Sequence, residues 1–169
     1  MLKNRKGVTF IEIMLTVSIV LILSIISFKI YGYQTEKATA VSGVNLMRKI
    51  ADTEKVYYME HKEWCLSFAD LPMELDGEFK EGADNIIKTK DFIFSLTTAG
   101  SNGKDLSINA VRNYFDKFEI EENKEDGYSM SWIVSRDDTK SYKFTARSYN
   151  VYATLEKTVV NYLKKRFGA

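Results

Sequence analysis

A single carboxylate, Glu12, stands inside an apolar run that covers residues 8–28. A charge in hydrocarbon is costly, so this one demands a counter-charge or a hydrogen-bonding partner. Elsewhere the residues able to do chemistry are few. His61 is the sole histidine and Cys65 the sole cysteine. Two ligands four positions apart fall short of a closed tetrahedral zinc site, and one cysteine makes no intrachain disulfide. Beside Trp64 that thiol reads as a small buried apolar group. Gly100-Ser101-Asn102-Gly103-Lys104 is superficially like a phosphate loop, but its glycines are too close together and Asp105 stands where Ser or Thr is needed, so it reads as a turn. Glu121-Glu122 and Asp137-Asp138 are paired carboxylates without the alternating oxygen ligands that calcium requires, and they read as solvated turns. No Ser, His and Asp set and no nucleophile elbow is visible. The expectation is a protein with no catalytic residue, no metal site and no cofactor.

The element that must position Glu12 is the apolar run itself. At about 1.5 Å per residue it is long enough to cross a hydrocarbon core of roughly 30 Å as a helix. Lys3, Arg5 and Lys6 precede it and would hold the N-terminus in the cytoplasm while the remainder crosses. An ordinary secretory signal has an apolar core of about 7–15 residues followed by a small-residue cleavage site. Here the run is longer and continues into Phe28-Lys29-Ile30-Tyr31, and the small residue, Gly7, comes before it.

Lys6-Gly7-Val8-Thr9-Phe10-Ile11-Glu12-Ile13-Met14 resembles the processing and assembly motif of type IV pilins and of the pseudopilins of type II secretion, and the likeness continues to Ile30-Tyr31-Gly32-Tyr33-Gln34. The resemblance implies that a membrane prepilin peptidase cuts between Gly7 and Val8 and methylates the new amine of Val8. It also implies that Glu12 is the carboxylate of filament assembly. The chain departs from the family in having Val8 where Phe is usual, and Lys29 where many pilins carry a helix-breaking proline. The only proline is Pro72. Many pilins also close a C-terminal loop with a disulfide, which a lone cysteine precludes.

Cleavage before Val8 creates an α-amine with a reference pKa of about 7.7–8.0, mostly cationic at neutral pH. One amine and one carboxylate on each subunit permit head-to-tail pairing. A heterologous contact of this kind grows into an open helical filament when its rotation does not close. Desolvation offsets much of the attraction, so the pair sets register more than affinity.

The 169 residues leave room for the spanning segment and one compact domain. The formal charge is +1, and removing the three leader cations gives −2, which points to no nucleic-acid partner. Past the membrane Ala40, Val44, Met47, Ala51 and Tyr58, with Val41 and Ile50 alongside, fall at steps of three and four and mark one helical face. Lys37, Arg48, Lys49, Asp52, Glu54 and Lys55 occupy much of the remainder. Gly32 and Gly43 are weak points, Gly32 being either a joint or a close-packing position. Trp64, Leu66, Phe68, Leu71 and Met73 anchor a connection. Asp76-Gly77 and Glu81-Gly82 mark turns in a polar stretch ending near Lys90. Strands are expected at 91–97, 106–111, 114–120, 128–134 and 142–147, the last two joined by a polar turn over 135–141. The end is ambiguous: β-branched residues over 151–160 favour a strand and then a frayed basic tail, whereas Leu155, Val159 and Leu163 recur at helical spacing.

These readings add up to an α+β, type IV pilin-like fold, a long N-terminal helix with its first half transmembrane packed against an antiparallel sheet. The expected partition is a basic leader (1–7), a transmembrane assembly helix (8–30), its continuation on the domain (31–59) and a globular domain (60–169). The expected function is a structural subunit of a type IV pilus or pilus-like filament. Its partners would be other copies of itself, the prepilin peptidase and methyltransferase, an inner-membrane assembly platform and the lipid bilayer. It would sit as a single-pass inner-membrane protein with a cytoplasmic N-terminus, and after assembly in a periplasmic pseudopilus or an extracellular pilus. Two alternatives stand beside it: a pseudopilin of secretion or DNA uptake, and a membrane-anchored binding domain that never polymerises.

Overall fold

The computed structural model describes residues 9–100, 104–113, 127–135, 142–149 and 154–168. Its elements run in the order α1 (Phe10–His61), β1 (Glu78–Lys80), β2 (Ala83–Lys88), β3 (Phe92–Ala99), β4 (Asp105–Arg112), β5 (Tyr128–Val134), β6 (Tyr142–Ser148) and α2 (Thr154–Phe167). Contacts divide the chain into two units, Met1–Glu36 and Lys37–Ala169.

In the first unit α1 is apolar on every side, with Phe10, Leu15, Leu21, Ile26 and Phe28 all exposed. Its few hydroxyls turn back onto the helix: Thr16 donates to Ile13 O, Ser18 to Met14 O, Ser24 to Val20 O and Ser27 to Leu23 O, all at 2.7–2.8 Å. A helix that is hydrophobic all round and satisfies its own polar groups suits lipid or the interior of an assembly. It is long and apolar enough to cross a bilayer. A Cβ added at Gly32 would meet nothing within 4 Å, so within the protomer Gly32 is no close-packing position.

In the second unit Ala40, Val44, Met47, Ile50 and Ala51 of α1 are buried, at the expected spacing. The six strands follow one another across a single antiparallel sheet in the order β1-β2-β3-β4-β5-β6. Period-two alternation aims one face at the helix. Met130, Trp132 and Val134 of β5 lie in register with Ala110, Ile108 and Leu106 of β4, and all six are buried. The other face carries the polar alternates, with Ser95, Asn109, Ser131 and Thr145 side by side across four strands. Gly43 marks where helix and sheet come closest, since a Cβ there would lie 2.7 Å from Phe92 Cε2 and 3.0 Å from Met130 Cε. At the end of α1, Lys62 takes a left-handed conformation (φ 65°) and its N–H donates to Tyr58 O at 2.9 Å, the termination that glycine usually provides.

The architecture matches the expected α+β class, with three differences in detail. The polar stretch before Lys90 is a β-hairpin, β1 and β2, turning at Glu81-Gly82, where Gly82 adopts φ 75°. Its β2 strand is held by pairing to β3, with the fully buried Ile87 opposite Phe94, while every residue of β1 is exposed and shows no alternation. The C-terminal segment is the helix α2 from Thr154 and not a strand, because Glu156, Val159, Val160 and Leu163 bury one helical face. Among the loop anchors, Leu66 is exposed, while the neighbouring Cys65 is buried as its apolar reading implies. The strand expected at 114–120, and all but the first residue of the expected 135–141 turn, lie outside the described residues.

Candidate functional site

Of the three residues expected to carry processing and assembly, Gly7 and Val8 lie outside the described residues and Glu12 lies within them. Glu12 sits in the first turn of α1 and is bonded to its own helix start. The Thr9 N–H donates to Glu12 Oε2 at 2.7 Å and the Thr9 hydroxyl donates to the same oxygen at 2.8 Å. In return the Glu12 N–H lies 3.4 Å from Thr9 Oγ1. This is a reciprocal capping box, with Thr9 at the N-cap and Glu12 at the third helical position. It supplies a partner that the sequence analysis did not assign, although the Thr-x-x-Glu signature ahead of an apolar run was there to find. Only Oε2 is engaged. Oε1 has no hydrogen bond among the described residues, and it stands at the helix N-terminus, where the aligned peptide dipoles favour negative charge. The arrangement holds the carboxylate in place and leaves one oxygen free to accept from a cation.

A second carboxylate, Glu54, departs from expectation. The sequence places it on the polar side of α1, but it is fully buried. Its Oε2 accepts the Cys65 N–H at 3.1 Å, fastening the segment after α1 back onto the helix. Its Oε1 has no partner among the described residues. Burial raises its pKa to about 7, with the Cys65 N–H pulling the other way. The same segment is tied to the sheet by Trp64 Nε1–H, which donates to Lys104 O at 2.8 Å, and by Phe68 N–H, which donates to Asp84 O at 2.8 Å. Cys65 is buried, its thiol donates to Ser67 O at 3.1 Å, and burial pushes its pKa up. The ring of His61 stacks on Tyr57 with centroids 4.1 Å apart. Among the described residues no three of His, Cys, Asp and Glu are grouped to hold a metal ion. Ser101–Gly103 and the pairs Glu121-Glu122 and Asp137-Asp138 lie outside the described residues.

The basic tail is the last turn of α2, where cations complement the helix dipole. This helix lies against β6, with the Phe167 and Phe144 rings edge to face at 5.9 Å. Its one acid, Glu156, is turned inward, accepting the Gly127 N–H at 2.9 Å and the Ser148 hydroxyl at 3.4 Å. The Lys37 ammonium lies 3.9 Å from the centre of the Tyr162 ring, joining α2 to α1 within the second unit.

Comparison with known proteins finds relatives named as fimbrial proteins. A "Fimbrial protein" of Neisseria meningitidis serogroup A / serotype 4A is 29% identical over 147 residues, covering 80% of this chain and 78% of the relative. A "Fimbrial protein" of Neisseria meningitidis serogroup B is 30% identical over 116 residues, covering 64% of this chain and 67% of the relative. No protein-family model matches the chain. No solved structure matches it significantly.

Proposed function

The chain belongs to the type IV pilin family, and from that premise we propose that it matures by cleavage between Gly7 and Val8 and polymerises through α1 with Glu12 as the assembly carboxylate. That it is a structural pilin and not an enzyme, anchored in a membrane and assembled into a pilus, follows from the relatives together with the apolar helix. The finer steps are our reading. A prepilin peptidase removes the basic leader and methylates the Val8 amine, an inner-membrane platform receives the mature subunit with its N-terminus on the cytoplasmic side, and extraction of α1 from lipid feeds the growing fibre. The ammonium of Val8 on one subunit meets the open oxygen of Glu12 on its neighbour.

The observation that carries this reading is the state of Glu12, fixed by Thr9 through Oε2 and unpartnered at Oε1. A pilus on the cell surface is preferred to a secretion pseudopilus because the relatives are fimbrial proteins. The test is to image cells for surface fibres that bind an antibody to this chain, and to weigh the N-terminal peptide of the fibre subunit. Fibres whose subunit begins with methylated Val8 support the reading. A chain that still begins with Met1 and never leaves the membrane overturns it.

A further inference from the structure

The two edges of the sheet carry opposite charge. At the β1 edge, residues 69–84 hold Asp70, Glu74, Asp76, Glu78, Glu81 and Asp84 against the single cation Lys80, and all six acids are exposed. Glu78 is ion-paired, with Lys88 at 3.2 Å. The side chains of the other five make no ion pair among the described residues. At the other end of the sheet α2 packs against β6, and its surface presents Lys157, Lys164, Lys165 and Arg166 while its only acid is buried. Lys157, Lys164 and Lys165 have no carboxylate partner among the described residues. Helix-dipole compensation accounts for cations in the last turn, but not for Lys157 in the first turn, nor for a helix exposing no acid at all.

These surfaces cannot neutralise each other within one chain. They flank opposite ends of a six-stranded sheet, and five strand spacings of about 4.8 Å separate them by roughly 24 Å, beyond the Debye length of roughly 8 Å at physiological salt. A second copy brings them together. Resting on the filament reading above, we propose that the cationic face of α2 on one subunit docks against the acidic β1 edge, residues 69–84, of a neighbouring subunit in the fibre. The contact is heterologous, so it propagates without closing, as a helical filament requires. It adds a second, solvent-facing register to the one set inside the fibre by α1. Being made of surface charges, it steers subunits into place and fails at high salt.

The experiment uses the full chain in its native cells and measures sheared fibre as a fraction of total subunit. Three variants are compared with wild type: K164E with K165E, E74K with E81K, and all four together. Each double variant places like charge opposite like charge and is expected to lower the fibre yield several-fold. The combined variant restores opposite charges and is expected to recover most of the yield. Wild-type fibre should also break up at lower shear when salt is raised. An undiminished yield for either double variant, or a combined variant no better than its parents, overturns the proposed contact. Wild-type cells that make no fibre would defeat the filament reading itself, whereas wild-type fibre that ignores all three variants defeats only this contact.

Discussion

The Cys65 N–H donates to Glu54 Oε2 at 3.1 Å, and this bond closes the segment after α1 over a carboxylate that water does not reach. A buried acid with one donor is held closer to its neutral form than an exposed one. Its pKa rises from 4.5 to about 7 on folding, so the native chain binds this proton more tightly than the unfolded chain. The contribution of Glu54 to stability is therefore fully present below about pH 4.5 and is lost, by about 3 kcal/mol, as pH rises through about 7. Glu54→Gln keeps an acceptor for Cys65 and removes the charge. Thermal melts of the detergent-solubilised chain at pH 5 and pH 8 should show a smaller pH difference in the variant, with its melting point above wild type at pH 8. An unchanged pH difference would mean that Glu54 is not the group responsible.

Gly43 and Gly32 should respond oppositely to alanine. At Gly43 the new methyl would press on the Phe92 ring, which is itself hemmed in by Phe94 and Tyr128 with centroids 5.9 and 6.2 Å away. Overpacking of that kind costs about 1–3 kcal/mol, more than the gain of up to about 1 kcal/mol in helix propensity. Gly43→Ala is therefore expected to lower the melting point of the globular part. Gly32→Ala meets open space and should leave that melting point unchanged while raising helicity by circular dichroism. A neutral Gly43→Ala would contradict the close approach of α1 to the sheet.

Cys65 should behave as a core atom. The thiol is buried, bonded to Ser67 O, and pushed away from its reactive thiolate form. A maleimide or disulfide reagent should label it slowly in the folded chain and rapidly in denaturant. Fast labelling without denaturant would place the sulfur at the surface.

How far the sequence disclosed this structure depends on whether a residue's partner is near it in the chain. The helix α1 was legible because its apolar run and the spacing of Ala40, Val44, Met47 and Ala51 are local patterns. Strands β3 to β6 were legible because Phe94 and Leu96, or Met130 and Trp132, alternate with polar neighbours. The hairpin β1–β2 was not, since Glu78-Phe79-Lys80 is exposed throughout and becomes a strand only by pairing with β2. The β-branched run Thr158-Val159-Val160 favoured a strand at the C-terminus, but burying Glu156, Val159, Val160 and Leu163 together on one helical face prevailed over propensity. Glu54 was unreadable for a related reason, because nothing local says that a glutamate faces the core. Glu12 was found by its isolation in an apolar run, yet Thr9, three residues before it, was overlooked although its signature is local.

The capping box offers a way to separate the two roles of Glu12. Glutamine at the same position can still accept from Thr9 and start the helix, but it carries no charge for a neighbour's amine. Thr9→Val removes the hydroxyl and keeps the carboxylate, so it should loosen the first turn, reduce fibre yield modestly and leave some assembly intact.

The most direct measurement is fibre yield and N-terminal mass for Glu12→Gln in native cells. Pairing between the Val8 amine and Glu12 predicts a chain cleaved after Gly7 and retained in the membrane, with surface fibres absent or reduced at least tenfold. Wild-type amounts of normal fibre from that variant would contradict it and leave Glu12 with no role beyond capping its own helix.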